Sequence, residues 1–362
     1  MDRIAKGRFF IYHLFELAEE VDLTRLRQIW ADSTVGQLAA RRNAPDAIRF
    51  RDPPVILPLG ARPLTSTYSG SVRAKIFDFG VCSIAWELDT PESWEDLIAL
   101  SVDLQDDIAL ESASRRVFDE VRSRALPACK DPIPDSKLVE DYYVIHVAAF
   151  DSPARGEDIL ARHGADLAHV LRGDAGDLSA DERRDALRLR HSYRSDDLVV
   201  VTYNSAFVYD AETVPDHVDV IEFANAQLLD LRYYDQLMDQ ELALIYDSLE
   251  DHKTLGPVRG KLLKTVQQLH RLMIEIHDIR EKIRNSLKIV GEMYSARIYR
   301  MISDSLRLER WDQALGDKLD IAQQIYKVLL EELHQRRSNM LEIIIILLIL
   351  LEVILFIFPM KH

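Results

Sequence analysis

The chain ends in a long apolar run, which constrains the possible architecture more than any other feature. From Ile343 to Phe358 every residue except Glu352 is apolar, although 29% of the whole chain is charged. A helix rises about 1.5 Å per residue, so residues 341–360 would extend roughly 30 Å, the thickness of a hydrocarbon core. The run also lacks the polar face of a helix that packs on a globular core. The sequence therefore predicts a transmembrane anchor at 341–360.

Charged residues around this run predict its orientation. Arg336 and Arg337 precede it and Lys361 follows it, a weak positive-inside bias that leaves the larger part of the chain in the cytoplasm. A span in this position would insert after synthesis, as a tail anchor does. The expected location is the inner (cytoplasmic) membrane, with the membrane itself as a partner.

Two glutamates mark the depth of the predicted span. Glu342 falls at its rim, whereas Glu352 falls near its middle. A charge at that depth costs about 2.5–3.5 kcal/mol on insertion scales. Three interpretations stay open for Glu352: a contact between copies in a homo-oligomer, a tolerated protonated side chain, or part of a proton or ion path.

The distribution of proline divides the remaining chain. Ten of the 13 prolines lie at or before Pro153, and residues 216–358 contain one. The first part, 1–212, reads as mixed α/β, with a strand at 9–17, a bent strand or tight strand pair at 71–89 and an acidic helix at 93–112. The second part, 213–340, reads as an antiparallel helical bundle with short loops. The predicted fold class is α+β, with a small ferredoxin-like unit, a helical bundle and one transmembrane helix.

A heptad pattern precedes the apolar run. Its apolar positions alternate by four and three residues, at Leu315, Leu319, Ala322, Tyr326, Leu329 and Leu333. Such a seam is typical of a coiled coil. It packs either inside its own bundle or between subunits.

Sequence motifs for catalysis or cofactor binding are lacking. The stretch TLGPVRGKLLK has three residues between Gly256 and Gly260, where a phosphate-binding loop needs four, and no hydroxyl residue follows its Lys261. His270 and His277 lie about 10 Å apart along a helix, too far to share a metal without other ligands. We therefore predict no catalytic residue, no cofactor and no metal, and consider an enzymatic role uncertain.

Charge is distributed unevenly along the chain. The formal net charge is −15, yet Lys253 to Arg310 contains 13 Lys and Arg against six Asp and Glu. The basic stretch either neutralises the acidic α/β part or contacts an anionic partner, such as lipid headgroups or RNA. Few aromatic residues interrupt it, so direct binding of nucleic acid is not favoured.

Three stretches resemble one known family. FDFGVCSIAW and ANAQLLDL, followed by the LEIIIILLILLEV run, are similar in order and content to motifs of the Required for Meiotic Nuclear Division / Sad1-interacting-factor family, a domain of unknown function with YagE-type bacterial members. The matching positions are Phe77, Asp78, Phe79, Gly80, Trp86, Ala224, Ala226, Gln227, Leu231, Glu342 and Glu352.

The resemblance implies a single-span membrane protein in large assemblies, some of whose relatives support organellar translation. The expected function is a tail-anchored oligomeric scaffold, which tethers a cytoplasmic partner to the inner membrane, with ribosome-associated machinery as one candidate for that partner. Two alternatives are an ion transport protein of the CorA type and a membrane-bound enzyme of unknown activity.

Overall fold

Apolar segments of the first 210 residues assemble into one mixed sheet in the computed structural model of the chain. The first of two compact units comprises Met1–Tyr233 and Glu281–Asp312, and the second comprises Tyr234–Arg280 and Gln313–His362. The structure describes residues 3–30, 34–35, 53–105, 107–134, 137–210, 216–251, separate positions between 266 and 281, and 293–357.

Nine described strands form the main sheet, in the order β3-β4-β5-β6-β1-β8-β11-β10-β9. Their bounds are β1 Ile4–Glu16, β3 Thr34–Val35, β4 Val55–Pro63, β5 Ser69–Ile76, β6 Val81–Asp89, β8 Val139–Phe150, β9 Leu189–His191, β10 Leu198–Val201 and β11 Ser205–Tyr209. A separate two-stranded sheet pairs β2 (Ala18–Val21) with β7 (Cys129–Pro132).

Strand β1 lies at the centre of the main sheet and is antiparallel to both neighbours. Ile11 lies opposite Trp86 of β6 on one side and opposite Tyr143 of β8 on the other. Residues 9–15 of β1 are all buried, because both faces of the sheet are covered there. This is why the strand is a continuous apolar run, without the alternation of a half-exposed strand. Strand β8 is parallel to β11, and the connection between them contains a helix, as parallel pairs require.

Helices of the first part cover one face of the sheet. They are α1 Leu23–Ile29, α2 Trp94–Gln105, α3 Ala109–Ala125, α4 Gly156–Arg172 and α5 Ala180–Ala186, with a 3-10 turn at Leu126–Ala128. Phe118 of α3 stacks on Phe15 of β1 with ring centroids 4.6 Å apart, within the main apolar core. The single acidic helix predicted at 93–112 is wrong, because α2 ends at Gln105 and α3 begins at Ala109.

The other face of the sheet carries residues 216–233 of helix α6 (Asp216–Asp251), and α7 (Met293–Leu306) belongs to the same unit as these residues. Polar side chains of α6 are buried together with its apolar ones, including Glu222, Asn225, Gln227 and Asp230. The two faces of the sheet therefore differ in chemistry, since the face under α2–α4 packs mainly apolar groups.

The second unit contains the later part of α6 and most of α8 (Leu308–Ile357). Lys318 lies 2.7 Å from Asp235 and 2.6 Å from Asp239, and the rings of His270 and Tyr326 stack at 5.4 Å. The heptad positions at 315, 319, 322 and 329 are buried within the single chain, which fits a seam that packs inside its own bundle.

The predicted membrane anchor is wrong. Within the described part of the chain, none of the helices has both the length and the apolar character that crossing a bilayer requires. From Leu341 to Val353 every described side chain of α8 is exposed. The stretch also contains Glu342 and Glu352.

Three predictions that depended on this anchor fail with it. The inner-membrane location is wrong, and so are the set of partners built around a membrane-held oligomer and the fold class that ended in a transmembrane helix. The small ferredoxin-like unit is replaced by a mixed α/β fold with a large sheet, because strands add to both edges of the central β6-β1-β8 group.

Candidate functional site

A cavity of about 380 Å³ lies at the β9 end of the main sheet, within the first unit. We call it the arginine pocket, because three arginines from separate parts of the sequence line it. Its size falls in the range of small-molecule sites, about 300–1,000 Å³. The lining residues are Arg172, Asp185, Arg188, Leu189, Val201, Thr202, Tyr203, Asp304, Ser305 and Arg307.

Two of the arginines are held by carboxylates of α5. Arg172, the last residue of α4, lies 2.8 Å from Asp185 and 2.7 Å from Glu182. Arg188 lies 3.1 Å from the other oxygen of Asp185. Hydrogen bonds from Arg188 and Arg172 lower the pKa of Asp185 below its usual value. This network fixes the wall between α4 and β9 and neutralises most of its own charge.

The third arginine lies at the break between α7 and α8. Arg307 has φ 56°, in the left-handed region that residues other than glycine rarely adopt. Its N–H donates to the carbonyl of Asp304, and its own carbonyl accepts from the N–H groups of Arg310 and Trp311. The backbone of the break is thus held on both sides. Among the described residues, the guanidinium group of Arg307 has no ion-pair partner.

Other polar groups of the pocket also lack described partners. Asp304 and Ser305, in the last turn of α7, line the cavity, and their side chains form no hydrogen bond or ion pair with the described residues. Tyr203 also lines the cavity, from the turn between β10 and β11, and is 53% exposed. The arginine pocket therefore offers one cation, one carboxylate and two hydroxyl groups to a ligand.

The turn that carries Tyr203 is rigidly bonded. The N–H of Thr202 donates to the carbonyl of Ser205 at 2.7 Å, and the hydroxyls of the two residues lie 2.8 Å apart. Ser205 also donates to the carbonyl of Leu171, next to Arg172. These bonds fix the position of Tyr203 relative to the arginine wall, so the cavity is preformed.

A second polar cluster lies between the sheet and α6, and we call it the buried ion network. Lys75 of β5 lies 2.5 Å from Glu222 and 2.7 Å from Asp219, both on α6. Arg73 lies 3.3 Å from Glu222 and 3.4 Å from the hydroxyl of Tyr12. Burial raises the pKa of the Tyr12 hydroxyl far above its usual value, and the negative charge of Glu222 raises it further. Two cations and two carboxylates balance one another, and this network fastens α6 to the sheet.

A third cluster lies on the opposite face of the sheet. The indole N–H of Trp86 donates to the hydroxyl of Ser114 at 2.8 Å, and this hydroxyl lies 3.0 Å from Nδ1 of His13. Burial lowers the pKa of His13 to about 4, so the imidazole is neutral at pH 7. The Ser114 hydroxyl, which already accepts from Trp86, can then donate its proton to Nδ1. All three side chains are buried, so we assign this cluster a role in packing.

The described residues contain no group of three or more His, Cys, Asp and Glu side chains placed to hold a metal ion. Cys82 and Cys129 are free thiols, and burial raises the pKa of Cys129 to about 11. The arginine pocket is accordingly the described site best suited to a ligand.

A family model covers the larger part of the chain. The N-terminal domain of Uncharacterized protein MJ0711 matches residues 6–216, which is more than half of the sequence. The chain belongs to the MJ0711 N-terminal domain family. Uncharacterized protein MJ0711 of Methanocaldococcus jannaschii is itself 25% identical over 252 residues, which cover 69% of this chain and 74% of the relative.

Membership in the MJ0711 N-terminal domain family corrects the resemblance drawn from short motifs, so the assignment to the Required for Meiotic Nuclear Division family is wrong. The family match spans the sheet and two of the three pocket arginines, Arg172 and Arg188. The α7–α8 break with Arg307 lies outside the matched residues.

The Phe-Asp-Phe-Gly motif forms the tight turn between β5 and β6. Gly80 has φ +95°, and a Cβ atom at this position would lie 1.7 Å from the carbonyl oxygen of Ala18. The rings of Phe77 and Phe79 stack at 5.1 Å and both contact Phe223 of α6. Because Asp78 accepts the N–H of Val21 through its backbone carbonyl, the whole motif docks the chain that follows β1.

The α6 motif and the anchor residues lie away from the pocket. Ala224, Ala226, Gln227 and Leu231 are buried, and Gln227 accepts a hydrogen bond of 2.6 Å from Tyr299 of α7. Glu342 and Glu352 are exposed on α8, whereas the side chains of Arg336 and Arg337 lie outside the described residues. No motif residue lines the arginine pocket, and their predicted roles in a membrane or an oligomer stay without support.

Sequence reasoning missed the arginine pocket altogether. Its arginines lie at 172, 188 and 307, in separate elements and without a recognisable spacing. One signal was present: the excess of basic residues between Lys253 and Arg310 includes Arg307 and ends three residues after it.

Proposed function

We propose that the protein binds a small anionic ligand in the arginine pocket. The observation that carries this proposal is Arg307, a cation in the left-handed backbone region that faces a cavity and has no ion-pair partner among the described residues. Such backbone outliers cost of order 1–3 kcal/mol and concentrate at ligand sites. A guanidinium group binds phosphate or carboxylate with two parallel hydrogen bonds.

The other two arginines support the site without competing for the ligand. Arg172 and Arg188 already pair with Asp185, so their first task is to hold the wall. Their remaining N–H groups offer hydrogen-bond donors to a ligand. Because both arginines are already paired with carboxylates, they add no net positive charge to the cavity. The ligand charge is therefore met chiefly by Arg307.

The test is a comparison of Arg307→Ala with Arg310→Ala in the full-length chain. Arg310 is exposed in the first turn of α8 and does not line the cavity, so it controls for the loss of one positive charge nearby. Titration calorimetry would measure binding of inorganic phosphate, pyrophosphate and ribose 5-phosphate.

We expect the best of these ligands to bind the wild-type chain and the Arg310→Ala variant alike. Arg307→Ala should weaken binding about tenfold or more, because a hydrogen bond to a charged group contributes about 1.5–3 kcal/mol. Equal losses in both variants, or no binding of any anion by the wild-type chain, would contradict the proposal.

That the protein tethers a partner protein stays a prediction. Attachment to a membrane is not part of it, because the described helices provide no span. The alternatives of CorA-type ion transport and a membrane-bound enzyme both assumed a span that the described helices do not provide.

A further inference from the structure

The walls of the arginine pocket differ in chemistry, and this difference narrows the class of ligand. One wall carries Arg307, which complements an anionic group. A simple anion would leave the rest of the cavity unmatched, because Asp304 repels it and the apolar side chains gain nothing from it. The ligand that fills the pocket must carry further groups besides its anion.

The carboxylate of Asp304 calls for hydrogen-bond donors on the ligand. It lies one helical turn before Arg307 and, like the hydroxyl of Ser305, has no described partner. A carboxylate accepts only, so its partner must be an O–H or N–H group. The two hydroxyls of a ribose ring meet this requirement a short distance from a phosphate.

The β10–β11 side of the cavity is suited to a planar ring. Tyr203 presents a half-exposed aromatic ring on a rigid turn, and the half-buried Leu189 adds apolar surface to the cavity lining. Aromatic side chains stack on nucleobases of every type because each base has a π-face. A sugar phosphate has no base, so it would make neither the apolar contact nor the stacking contact.

From these three features we infer that the pocket binds a nucleoside 5′-phosphate, with the phosphate on Arg307, the ribose hydroxyls on Asp304 and the base against Tyr203. This inference rests on the proposed function and assigns its ligand class. A cavity of about 380 Å³ is large enough for a ligand of this kind.

Titration calorimetry with the full-length chain tests the inference separately from the proposed function. The probes are inorganic phosphate, ribose 5-phosphate and the 5′-monophosphates of adenosine, guanosine, cytidine and uridine. The variants are Tyr203→Ala and, as a matched control, Tyr193→Ala, since Tyr193 is similarly exposed but does not line the cavity.

We expect at least one nucleotide to bind about fivefold tighter than ribose 5-phosphate or better, because stacking contributes at least about 1 kcal/mol per base. Tyr203→Ala should remove this advantage and leave the affinity for ribose 5-phosphate unchanged, while Tyr193→Ala should leave both unchanged.

Two outcomes would overturn the inference in different ways. If ribose 5-phosphate binds as tightly as every nucleotide, or if Tyr203→Ala leaves the preference intact, the nucleotide assignment fails and the anion site stands. If none of the probes binds the wild-type chain, the proposed function fails as well.

Discussion

Removal of the buried lysine of the ion network should destabilise the protein strongly. In Lys75→Met, Glu222 and Asp219 lose contacts of 2.5 and 2.7 Å, and their side chains are only 0% and 18% exposed. Removing one partner of a buried ion pair lowers the free energy of unfolding by about 3–5 kcal/mol. Arg73 still lies 3.3 Å from Glu222, so we expect a loss near 3 kcal/mol. Methionine fills a similar volume, which limits the contribution of a cavity.

Urea unfolding followed by tryptophan fluorescence would measure the loss, because Trp86 is buried in the same sheet. Lys130→Met is the matched control: Lys130 and Glu20 form an ion pair of 3.3 Å with side chains 70% and 42% exposed. Exposed pairs contribute about 0–1 kcal/mol. Adding Glu222→Gln to Lys75→Met should recover part of the loss, since one unpaired buried charge is then removed.

The loss should also depend on pH. In the wild-type chain, burial raises the pKa of Asp219, but Lys75 and Arg73 outweigh burial and hold the pKa below its usual value. Its contribution is present above the unfolded pKa of about 3.9 and disappears as the pH falls through the lower folded pKa.

In Lys75→Met the sign reverses for Asp219, because burial without the lysine raises the pKa of its carboxyl above that of the unfolded chain. The stability that Lys75→Met loses relative to the wild-type chain is then largest above the raised pKa, and this loss shrinks as the pH falls through that pKa. We expect a smaller deficit at pH 5 than at pH 8. A deficit below about 1 kcal/mol at pH 8, or one that is equal at both pH values, would refute the reasoning.

Two further predictions concern the packing clusters. Gly80→Ala should cost more than about 3 kcal/mol of stability, or prevent folding, because the new Cβ atom would lie 1.7 Å from the carbonyl oxygen of Ala18. Gly60→Ala is the control: Gly60 has φ +78° and nothing within 4 Å of a Cβ atom, so this variant should lose only about 1 kcal/mol to backbone strain. Similar urea midpoints for the two variants would contradict this prediction. His13 has a pKa of about 4, below the unfolded value of about 6.5, so the wild-type chain should lose up to roughly 3 kcal/mol as the pH falls from 6.5 to 4. His13→Asn, which keeps an acceptor for Ser114, should flatten this dependence in unfolding curves measured across that range, and an unchanged slope would argue against it.

The sequence predicts features that depend on local patterns. The run from Phe9 to Phe15 indicates a strand because its residues are apolar and β-branched or aromatic. Asp22 precedes an apolar helical pattern, a local signal for an N-cap, and its carboxylate accepts the N–H of Arg25. The stretch 71–89 predicts a bent strand or a tight strand pair, and β5 and β6 form the pair.

Features that combine distant segments could not be predicted in this way. The ion network joins Lys75 to Glu222 across 147 residues, and no periodicity indicates which charges will be buried together. The arginine pocket depends on the backbone of one residue, Arg307, whose left-handed conformation arises from the junction of two helices and has no glycine to mark it. The short motifs failed for the opposite reason, since brief similarities of a turn and a helix recur in unrelated folds.

The central position of β1 has a consequence for the order in which the chain can fold. Ile11 pairs with residues 86 and 143, so its second neighbour leaves the ribosome 132 residues after it. At about 5–20 residues per second, this delay is on the order of ten seconds. During that time β1 has at most one of its two partners, so at least one of its edges exposes hydrogen-bonding groups to other chains. Synthesis rate, chaperone supply and temperature should therefore control the yield of this protein more strongly than the stability of its finished sheet.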